Sequence, residues 1–423
     1  MNSSIEPTLI LGSGFVGLFT ALHLSHKRYP LPTVLVDRSA SFVFKPLLYE
    51  FFSGEMEADQ ICPRYEELSA GSDVTFVQDT VDAIDLNQRQ VKLASGSSQR
   101  YSHLVLALGC TAGHSGLEGA IENSFPFRIQ EDAIALAKQL QKCLQQAAQT
   151  SDIEQQQALL TVAVIGAGAT GVELAATLAD LLPNWYGQLS DDPQKFRIVL
   201  IDRGSGVLKG KGDSKGNLCH TAHEALMQKT IVELCLEADV TAVESGQITY
   251  KRHEQSETIQ AATIVWTAGI ATHPLIKDLP IAPEHRTHQG RLRVTPTLQL
   301  SDFPEVFAAG DCAEQTETLP PIAQVAYQQG AAIANNLIAL AENQPLSPAQ
   351  INLRGTLLKL GLGESAADLF DRFEIKGHLG HLIRQATYLE LLPTHNFKAT
   401  TEWLMEEIFH HHSSQPTAQG LST

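Results

Sequence analysis

The chain has 423 residues, 43% hydrophobic and 18% charged, the balance of a globular protein with length for about three domains, each with its own core. A net charge of −17 and a pI near 5.3 exclude nucleic acid, whose phosphates would be repelled, and give no general attraction to an anionic membrane. The six cysteines, Cys62, Cys110, Cys143, Cys219, Cys235 and Cys312, form no CxxC pair and no metal-ligand spacing, so reduced structural thiols and no metal are expected. The start, MNSSIEPT, runs straight into a strand, so no signal or transit sequence is expected. No stretch reaches the roughly 18 to 20 apolar residues of a spanning helix. The expected location is cytoplasmic, or peripheral on the cytoplasmic side of a membrane.

In chain order, Leu9–Leu11 reads as a strand, Gly12-Ser13-Gly14-Phe15-Val16-Gly17 as a glycine turn, and the next residues to about Ser25 as a helix. Strands follow at Thr33–Asp37, Val74–Val77, Val91–Leu93 and His103–Leu108, the last leading into Gly109. A glutamine-rich helix is predicted from Glu131 to Ala148, with a surface linker at Gln149–Gln157. The opening pattern then returns about 154 residues on: strand Thr161–Ile165, turn Gly166-Ala167-Gly168-Ala169-Thr170-Gly171, helix Val172–Leu182 and strand Arg197–Ile201, followed by Asp202. A helix near Thr221–Gln228, strands near Val232–Leu236 and Ala262–Trp266, and a short strand Val306–Ala309 before Gly310-Asp311 complete this part. From about Pro345 the pattern changes to amphipathic helices and a polar tail.

Each GxGxxG copy sits after a strand, opens a helix, and is followed by an acidic residue near the end of the next strand, which is the context of a dinucleotide-binding unit rather than of a casual glycine turn. Gly12 permits the tight turn, Gly14 lets backbone approach a pyrophosphate, and Gly17 lets helix and strand pack closely. The helix N-terminus offers free amides and a favourable dipole to that anion. Asp37 is placed for an adenosine ribose. Gly166, Gly168, Gly171 and Asp202 repeat the set. The fold expectation is therefore α/β, with two Rossmann-like domains and a C-terminal, partly helical, membrane-associating region. The expected boundaries are 1–118 with 290–345, 119–289, and 346–423.

Phe303–Asp311, a hydrophobic strand ending in Gly310-Asp311, resembles the second FAD motif of the two-dinucleotide-binding flavoproteins. That resemblance implies that Asp311 binds the ribityl chain, that the first turn holds the ADP half of FAD, and that the second holds NAD(P)H. Trp266-Thr267-Ala268-Gly269 resembles the strand end bounding the nicotinamide site. The stretch Phe42–Gly54 lacks the cysteine pair of flavin disulfide reductases, and no cysteine follows Cys312, which disfavours sulfide oxidation.

Phe44-Lys45-Pro46-Leu47-Leu48-Tyr49-Glu50, Gly171-Val172-Glu173 and the AQxAxQQG stretch from Ala323 to Gly330 together resemble type II NAD(P)H:quinone oxidoreductases over residues 8 to about 345. The resemblance implies hydride passage from NAD(P)H to FAD and two-electron reduction of a lipid-soluble quinone. It places Ala323 and Gln324 at the flavin, and Gln324 with Tyr327 or Gln328 at the quinone; the plainer reading is that these are helix-start polar residues. It gives Lys45 and Pro46, with Gly109, to the flavin site, where Lys45 would stabilise reduced flavin unless it forms a surface ion pair. Glu173 is either a favourable charge in a helix first turn, worth about 0.3–1 kcal/mol, or a proton-relaying link between nicotinamide and quinone.

Asp202 favours NADH, since a 2′-phosphate would face like charge. Arg203 and the Gly/Lys-rich loop with Lys209, Lys211 and Lys215 leave NADPH open, unless that loop is a solvated turn. The pattern most resembles the cyanobacterial and plastid branch, which implies NADPH and a naphthoquinone, demethylphylloquinone, in phylloquinone biosynthesis, at a thylakoid or plasma membrane. Leu379, Leu382, Ile383, Ala386, Leu389 and Leu392 give one apolar helical face, and Trp403, Leu404, Ile408 and Phe409 suggest a second short helix. Arg372, Lys376, Arg384 and Lys398 make this stretch locally basic. In the family such helices attach to membranes; packing on the flavin domain or in a homodimer is the alternative. His410-His411-His412 reads as a solvated tail. The competing functions are a respiratory NADH:plastoquinone or menaquinone reductase, an FAD- and NADH-binding redox sensor acting through partners, and a ferredoxin or rubredoxin reductase.

Overall fold

The computed structural model describes residues 5–114, 116–189, 196–208, 217–316, 319–369 and 373–393. The loop carrying Lys209, Lys211 and Lys215, together with Arg372, Lys398, Trp403–Phe409 and His410–His412, lies outside them. The chain divides into two compact units, residues 1–43, 62–111 and 270–353, and residues 44–61, 112–269 and 354–423.

The first unit is built on a five-stranded parallel sheet in the order Val306–Ala308, His103–Leu106, Thr8–Leu11, Thr33–Asp37, Val74–Gln78. Thr8–Leu11 is fully buried, since a central parallel strand is covered on both faces and must be apolar throughout. Helix Phe15–His26 follows it directly, and helix Ala323–Ala341 packs on that helix. Gly330 permits the close approach: a Cβ there would stand 2.6 Å from the Val16 carbonyl oxygen. A small antiparallel sheet, Val81–Asp85, Gln90–Leu93 and Ser98–Arg100, completes the unit.

The second unit repeats the plan with strands Val232–Cys235, Arg197–Ile201, Thr161–Ile165, Thr263–Trp266 and Phe125–Pro126, all parallel. Its core gathers Ala163, Ile165, Val199, Ile201, Ile264 and Trp266 under a meander formed by Ala238–Glu244, Gln247–Arg252 and Gln255–Gln260. Helix Ala169–Gly187 lies against strand Gly355–Gly361.

Two expectations need correction. The linker predicted at 149–157 contains a short helix, Ile153–Leu159, capped by Asp152, whose carboxylate accepts the N–H groups of Glu154 and Gln155. The region after Pro345, read as amphipathic helices and a polar tail with no strand assigned, contains a three-stranded antiparallel sheet, Gly355–Gly361, Glu364–Leu369 and Phe373–Lys376, before helix Gly377–Leu391. Its strands are rich in Gly, Ala and charged residues, so neither β-branching nor alternation marked them.

Helix Gly377–Leu391 is also turned inside out relative to its apolar pattern. Its buried residues include His381, Arg384 and Gln385, while Leu379 is 59% exposed and Leu382 and Ile383 are only partly covered. Among the described residues, no helix is long and apolar enough to cross a membrane.

Candidate nucleotide sites and a buried charge cluster

The two glycine turns are built alike. Gly12 and Gly166 have φ of +91° and +109°, and a Cβ at either would strike backbone of the neighbouring strand end, at Ala107 and Ala268 respectively. Only glycine fits such a position at low cost. Gly17 and Gly171 allow each helix to close over its turn, since a Cβ on either would lie 1.8 Å from the carbonyl oxygen of Gly12 or Gly166. Gly14 and Gly168, by contrast, face open space at the N-termini of helices Phe15–His26 and Ala169–Gly187. Each turn thus offers unobstructed room at a helix N-terminus, the requirement for a bound pyrophosphate.

Asp37 and Asp202 brace these turns. Asp37 Oδ2 accepts the Ser13 N–H at 2.7 Å and Oδ1 that of Ser39 at 2.8 Å. Asp202 Oδ2 accepts the Ala167 N–H at 2.7 Å and Oδ1 that of Gly204 at 2.6 Å. Each carboxylate oxygen has a second lone pair for a ribose hydroxyl. In the first turn the buried Ser13 hydroxyl has no hydrogen-bond partner among the described residues, and the Tyr65 hydroxyl donates to the Ser13 carbonyl at 2.7 Å. A dinucleotide fits both turns.

The Gly310-Asp311 motif follows strand Val306–Ala308 in the first unit, and Asp311 Oδ2 accepts the Cys110 thiol at 3.0 Å. Gly109, with φ +64°, immediately precedes Cys110. A pocket of about 340 Å³, open to solvent, is lined by Gly310, Asp311, Gln315, Val325, Ala326 and Gln329 among others. It therefore joins the Gly-Asp turn to the start of helix Ala323–Ala341, which also carries Gln324, Tyr327 and Gln328. Tyr327 packs its ring on Phe19, with centroids 5.6 Å apart. Gln328 is held to backbone: its Oε1 accepts the Asn352 N–H at 2.9 Å, and its Nε2 donates to Gln324 O and Asn352 O. Gln329, which sequence reasoning passed over, is buried and accepts the Gly310 N–H at 2.9 Å. Its position as the third glutamine of the quoted stretch was the available signal.

At the end of strand Thr263–Trp266, Trp266 Nε1 donates to Ala268 O at 2.6 Å and to Gly113 O at 3.2 Å. A Cβ at Gly269 would stand 2.9 Å from Gly113 O. Arg203 is exposed and lies 3.9 Å from Asp239, too loose and solvated to fix it in place.

The second unit also holds a buried ionic cluster that no sequence motif announced. Glu50 comes from helix Leu48–Ser53, Glu173 from Ala169–Gly187 just past its first turn, which holds no acidic residue and so does not bear out the first-turn charge, Lys359 from strand Gly355–Gly361, and Arg384 from Gly377–Leu391. Glu50, Lys359 and Arg384 side chains are completely buried. Glu50 Oε1 receives Lys359 Nζ at 3.1 Å and also Arg384 Nη1. Lys359 Nζ donates to Glu55 Oε2 at 2.6 Å, and its backbone N–H donates to Glu173 Oε1 at 2.9 Å. Arg384 Nη2 donates to the Pro46 carbonyl at 2.5 Å and stands 3.9 Å from Glu173 Oε1. The guanidinium also lies over the Tyr388 ring, 5.0 Å from its centroid. Pro46 belongs to the turn Lys45–Leu47, in which Lys45 is exposed.

The two carboxylates in this cluster experience opposite shifts. Burial would raise Glu50, but Arg384 and Lys359 outweigh it and hold it at about 2. Burial raises Glu173, and the more distant Arg384 only partly opposes this. Glu173 is thus the group disposed to keep a proton. His381 is pushed down to about 4 by burial and by the Lys359 charge, so it stays neutral.

Cysteine chemistry has no support here. Among the described residues none of the six cysteines forms a disulfide, and burial pushes Cys312 up to about 12. Among the described residues no group of His, Cys, Asp and Glu is arranged to hold a metal.

Residues 7–330 match the pyridine nucleotide-disulphide oxidoreductase family. The chain is 33% identical over 409 residues to demethylphylloquinone reductase NdbB of Synechocystis sp., covering 93% of this chain and 95% of that one. It is 31% identical over 425 residues to the type II NADH:quinone oxidoreductase Ndh of Mycobacterium tuberculosis, covering 95% and 89%. In fold it is similar to NDH2 from Plasmodium falciparum in complex with NADH, with a TM-score of 0.81 at 18% identity over 96% of this chain and 99% of that one. The paired nucleotide turns, the Gly-Asp motif and these full-length relatives agree, and the chain belongs to the type II NAD(P)H:quinone oxidoreductases.

Proposed function

We propose that the protein reduces a naphthoquinone, demethylphylloquinone, with electrons from NAD(P)H, as a step of phylloquinone biosynthesis. The observation that carries the substrate is the near full-length likeness to the Synechocystis reductase of that name. A respiratory role toward plastoquinone or menaquinone is the second reading, favoured by the comparable likeness to the mycobacterial enzyme.

In this reading the first unit holds FAD through Gly12, Gly14, Gly17, Asp37, Gly109, Gly310 and Asp311, with Ala323 and Gln324 at the helix start. Lys45 and Pro46 complete the flavin's surroundings. Bound FAD supplies two-electron acceptance from the nicotinamide and two-electron donation to the quinone. The second unit holds NAD(P)H through Gly166, Gly168, Gly171, Glu173 and Asp202, with Ala268 and Gly269 bounding the nicotinamide and Arg203 near the adenosine. Gln324, Tyr327 and Gln328 are the quinone contacts, and the Gln328 amide serves by fixing the backbone that presents Gln324. Glu173, whose hold on a proton burial strengthens, supplies a proton that quinone reduction requires.

The outward apolar residues Leu379, Leu382 and Ile383 suit a peripheral membrane contact, where a lipid-soluble quinone is drawn from the bilayer. A homodimer using the same face is the alternative, and vesicle flotation separates the two. Steady-state kinetics with demethylnaphthoquinone, plastoquinone, menaquinone and ubiquinone analogues, each with NADH and NADPH, test the substrate. The biosynthetic reading expects the demethylated naphthoquinone to give the highest kcat/KM; a preference for plastoquinone establishes the respiratory one.

A further inference from the structure

We propose that Arg384 is a positioning residue of the reaction, a single guanidinium that fixes both the Lys45–Pro46 turn and the carboxyl of Glu173. This rests on the proposed function, which uses that turn at the flavin and that carboxyl as a proton source. Two segments remote in sequence, one with Pro46 and Glu50 and one with Glu173, meet at this side chain. Nη2 takes the Pro46 carbonyl, Nη1 takes Glu50, and the charge stands 3.9 Å from Glu173 Oε1. Arg384 is fully buried, and the Tyr388 ring covers one side of it.

A buried cation is a costly way merely to fill space, because desolvation consumes much of what its pairing returns. Two features make this one specific. Its planar fork reaches two acceptors on helix Leu48–Ser53 and the preceding turn at once, which a lysine ammonium, a single point charge, cannot reproduce. Its helix also buries this polar side together with Leu389 while leaving Leu379 exposed, so the guanidinium shares with apolar burial in setting the helix orientation.

The charge and the geometry make separable demands. Facing Glu173 are Tyr49 and Glu50 on one side, Lys359 on another, and Arg384 and Tyr388 from the C-terminal helix, whose His381 feels Lys359, Glu50, Arg384 and His378 instead. Lys359 is committed to Glu50 and Glu55. Arg384 is accordingly the cation that limits how firmly Glu173 retains its proton. Removing the charge favours the neutral carboxyl and moves its ionisation to higher pH. Replacing arginine by lysine keeps the charge and loses the reach to Pro46.

The test uses the full-length, flavin-loaded protein and its Arg384→Gln, Arg384→Lys and Glu173→Gln variants. The pH profile of quinone reduction, the flavin visible spectrum and the KM for NADH are measured on each. The limb on which the rate falls with rising pH should move upward by roughly one to three units in Arg384→Gln. It should stay in place in Arg384→Lys and vanish in Glu173→Gln. Arg384→Lys should lose roughly tenfold to a hundredfold in kcat with KM for NADH unchanged, and its flavin spectrum should shift. An unmoved limb in Arg384→Gln, or wild-type kcat and spectrum in Arg384→Lys, overturns the proposal. If Arg384→Gln does not fold, the lysine variant decides by its kcat and spectrum. A wild-type protein that NADH reduces but no quinone reoxidises overturns the quinone reading instead, and the spectral comparison, which needs no quinone, then decides the role of Arg384.

Discussion

Asp37 and Asp202 brace their turns in the same manner, yet the helices that follow are covered by different chemistry. Phe15–His26 is covered by a helix of small residues, with Thr20 Oγ1 donating to the Gly330 carbonyl at 3.1 Å and no ion pair between the two glycine-bearing faces among the described contacts. Ala169–Gly187 is covered by strand Gly355–Gly361 and the Glu50–Lys359–Arg384 cluster. The difference follows from the residues near the start of each helix. The first opens with Phe15 and Val16 and has only to meet an anion at its N-terminus. The second carries Glu173 two residues after its last glycine, a carboxyl that burial alone would leave without compensation. Charges must then be brought in from three other segments, and the C-terminal sheet and helix supply two of them.

The most severe way to break this pairing is to add a methyl group at the equivalent glycines. Gly17→Ala should yield protein without flavin, whereas Gly171→Ala should keep its flavin and lose more than roughly a hundredfold in kcat/KM for NADH, as misplacement of a bound reactant would predict. Flavin absorbance per protein and flavin reduction rates read this directly, and flavin loss from both variants would undo the assignment of the two turns. Lys359→Met leaves Glu50 to Arg384 alone and takes from Glu55 the ammonium it accepts, and should cost about 3–5 kcal/mol in urea unfolding; a loss below about 1 kcal/mol would show the cluster to be solvated.

The acid dependence sharpens the same contrast. Glu50 is held at about 2 against an ordinary 4.5, so its contribution is present above pH 4.5 and is lost as pH falls toward 2. Glu50→Gln should be less stable at neutral pH and should flatten the stability profile across that window, as followed by thermal unfolding. In the first unit, Gln329→Ala strands the Gly310 N–H and should cost about 1–3 kcal/mol, with faster flavin release. The smallest effect is expected at Asp202→Asn. Relief of like-charge repulsion should raise kcat/KM for NADPH relative to NADH by about tenfold or less, as expected of one charge near solvent. No change in that ratio would take Asp202 away from the 2′ position.

The two glycine turns were legible because backbone geometry dictates their residues: no side chain fits at Gly12, Gly17, Gly166 or Gly171, so the sequence must show them. Parallel strands such as Thr161–Ile165 were equally plain, being apolar on both faces. The buried cluster was hidden for the opposite reason. Glu50, Lys359 and Arg384 are ordinary surface residue types, and only long-range contacts across 334 positions make them a core. Arg384 in particular read as a basic residue near a membrane. The apolar spacing of Gly377–Leu391 correctly marked a helix and one distinct face, but periodicity cannot say whether that face points inward. The sheet at Gly355–Lys376 escaped notice because Ala366, Ala367 and Ser365 are buried without being β-branched.

The central claim is that electrons enter at the second glycine unit and leave to quinone. Anaerobic stopped-flow spectroscopy tests it most directly, with flavin reduced by stoichiometric NADH or NADPH and then mixed with a demethylated naphthoquinone, plastoquinone or oxygen. The account predicts rapid bleaching with the nucleotide and reoxidation by a quinone that outpaces oxygen, with Gly171→Ala failing only at the first step. Reduced flavin that persists in the presence of every quinone, while oxygen or a protein acceptor restores it, would contradict the account.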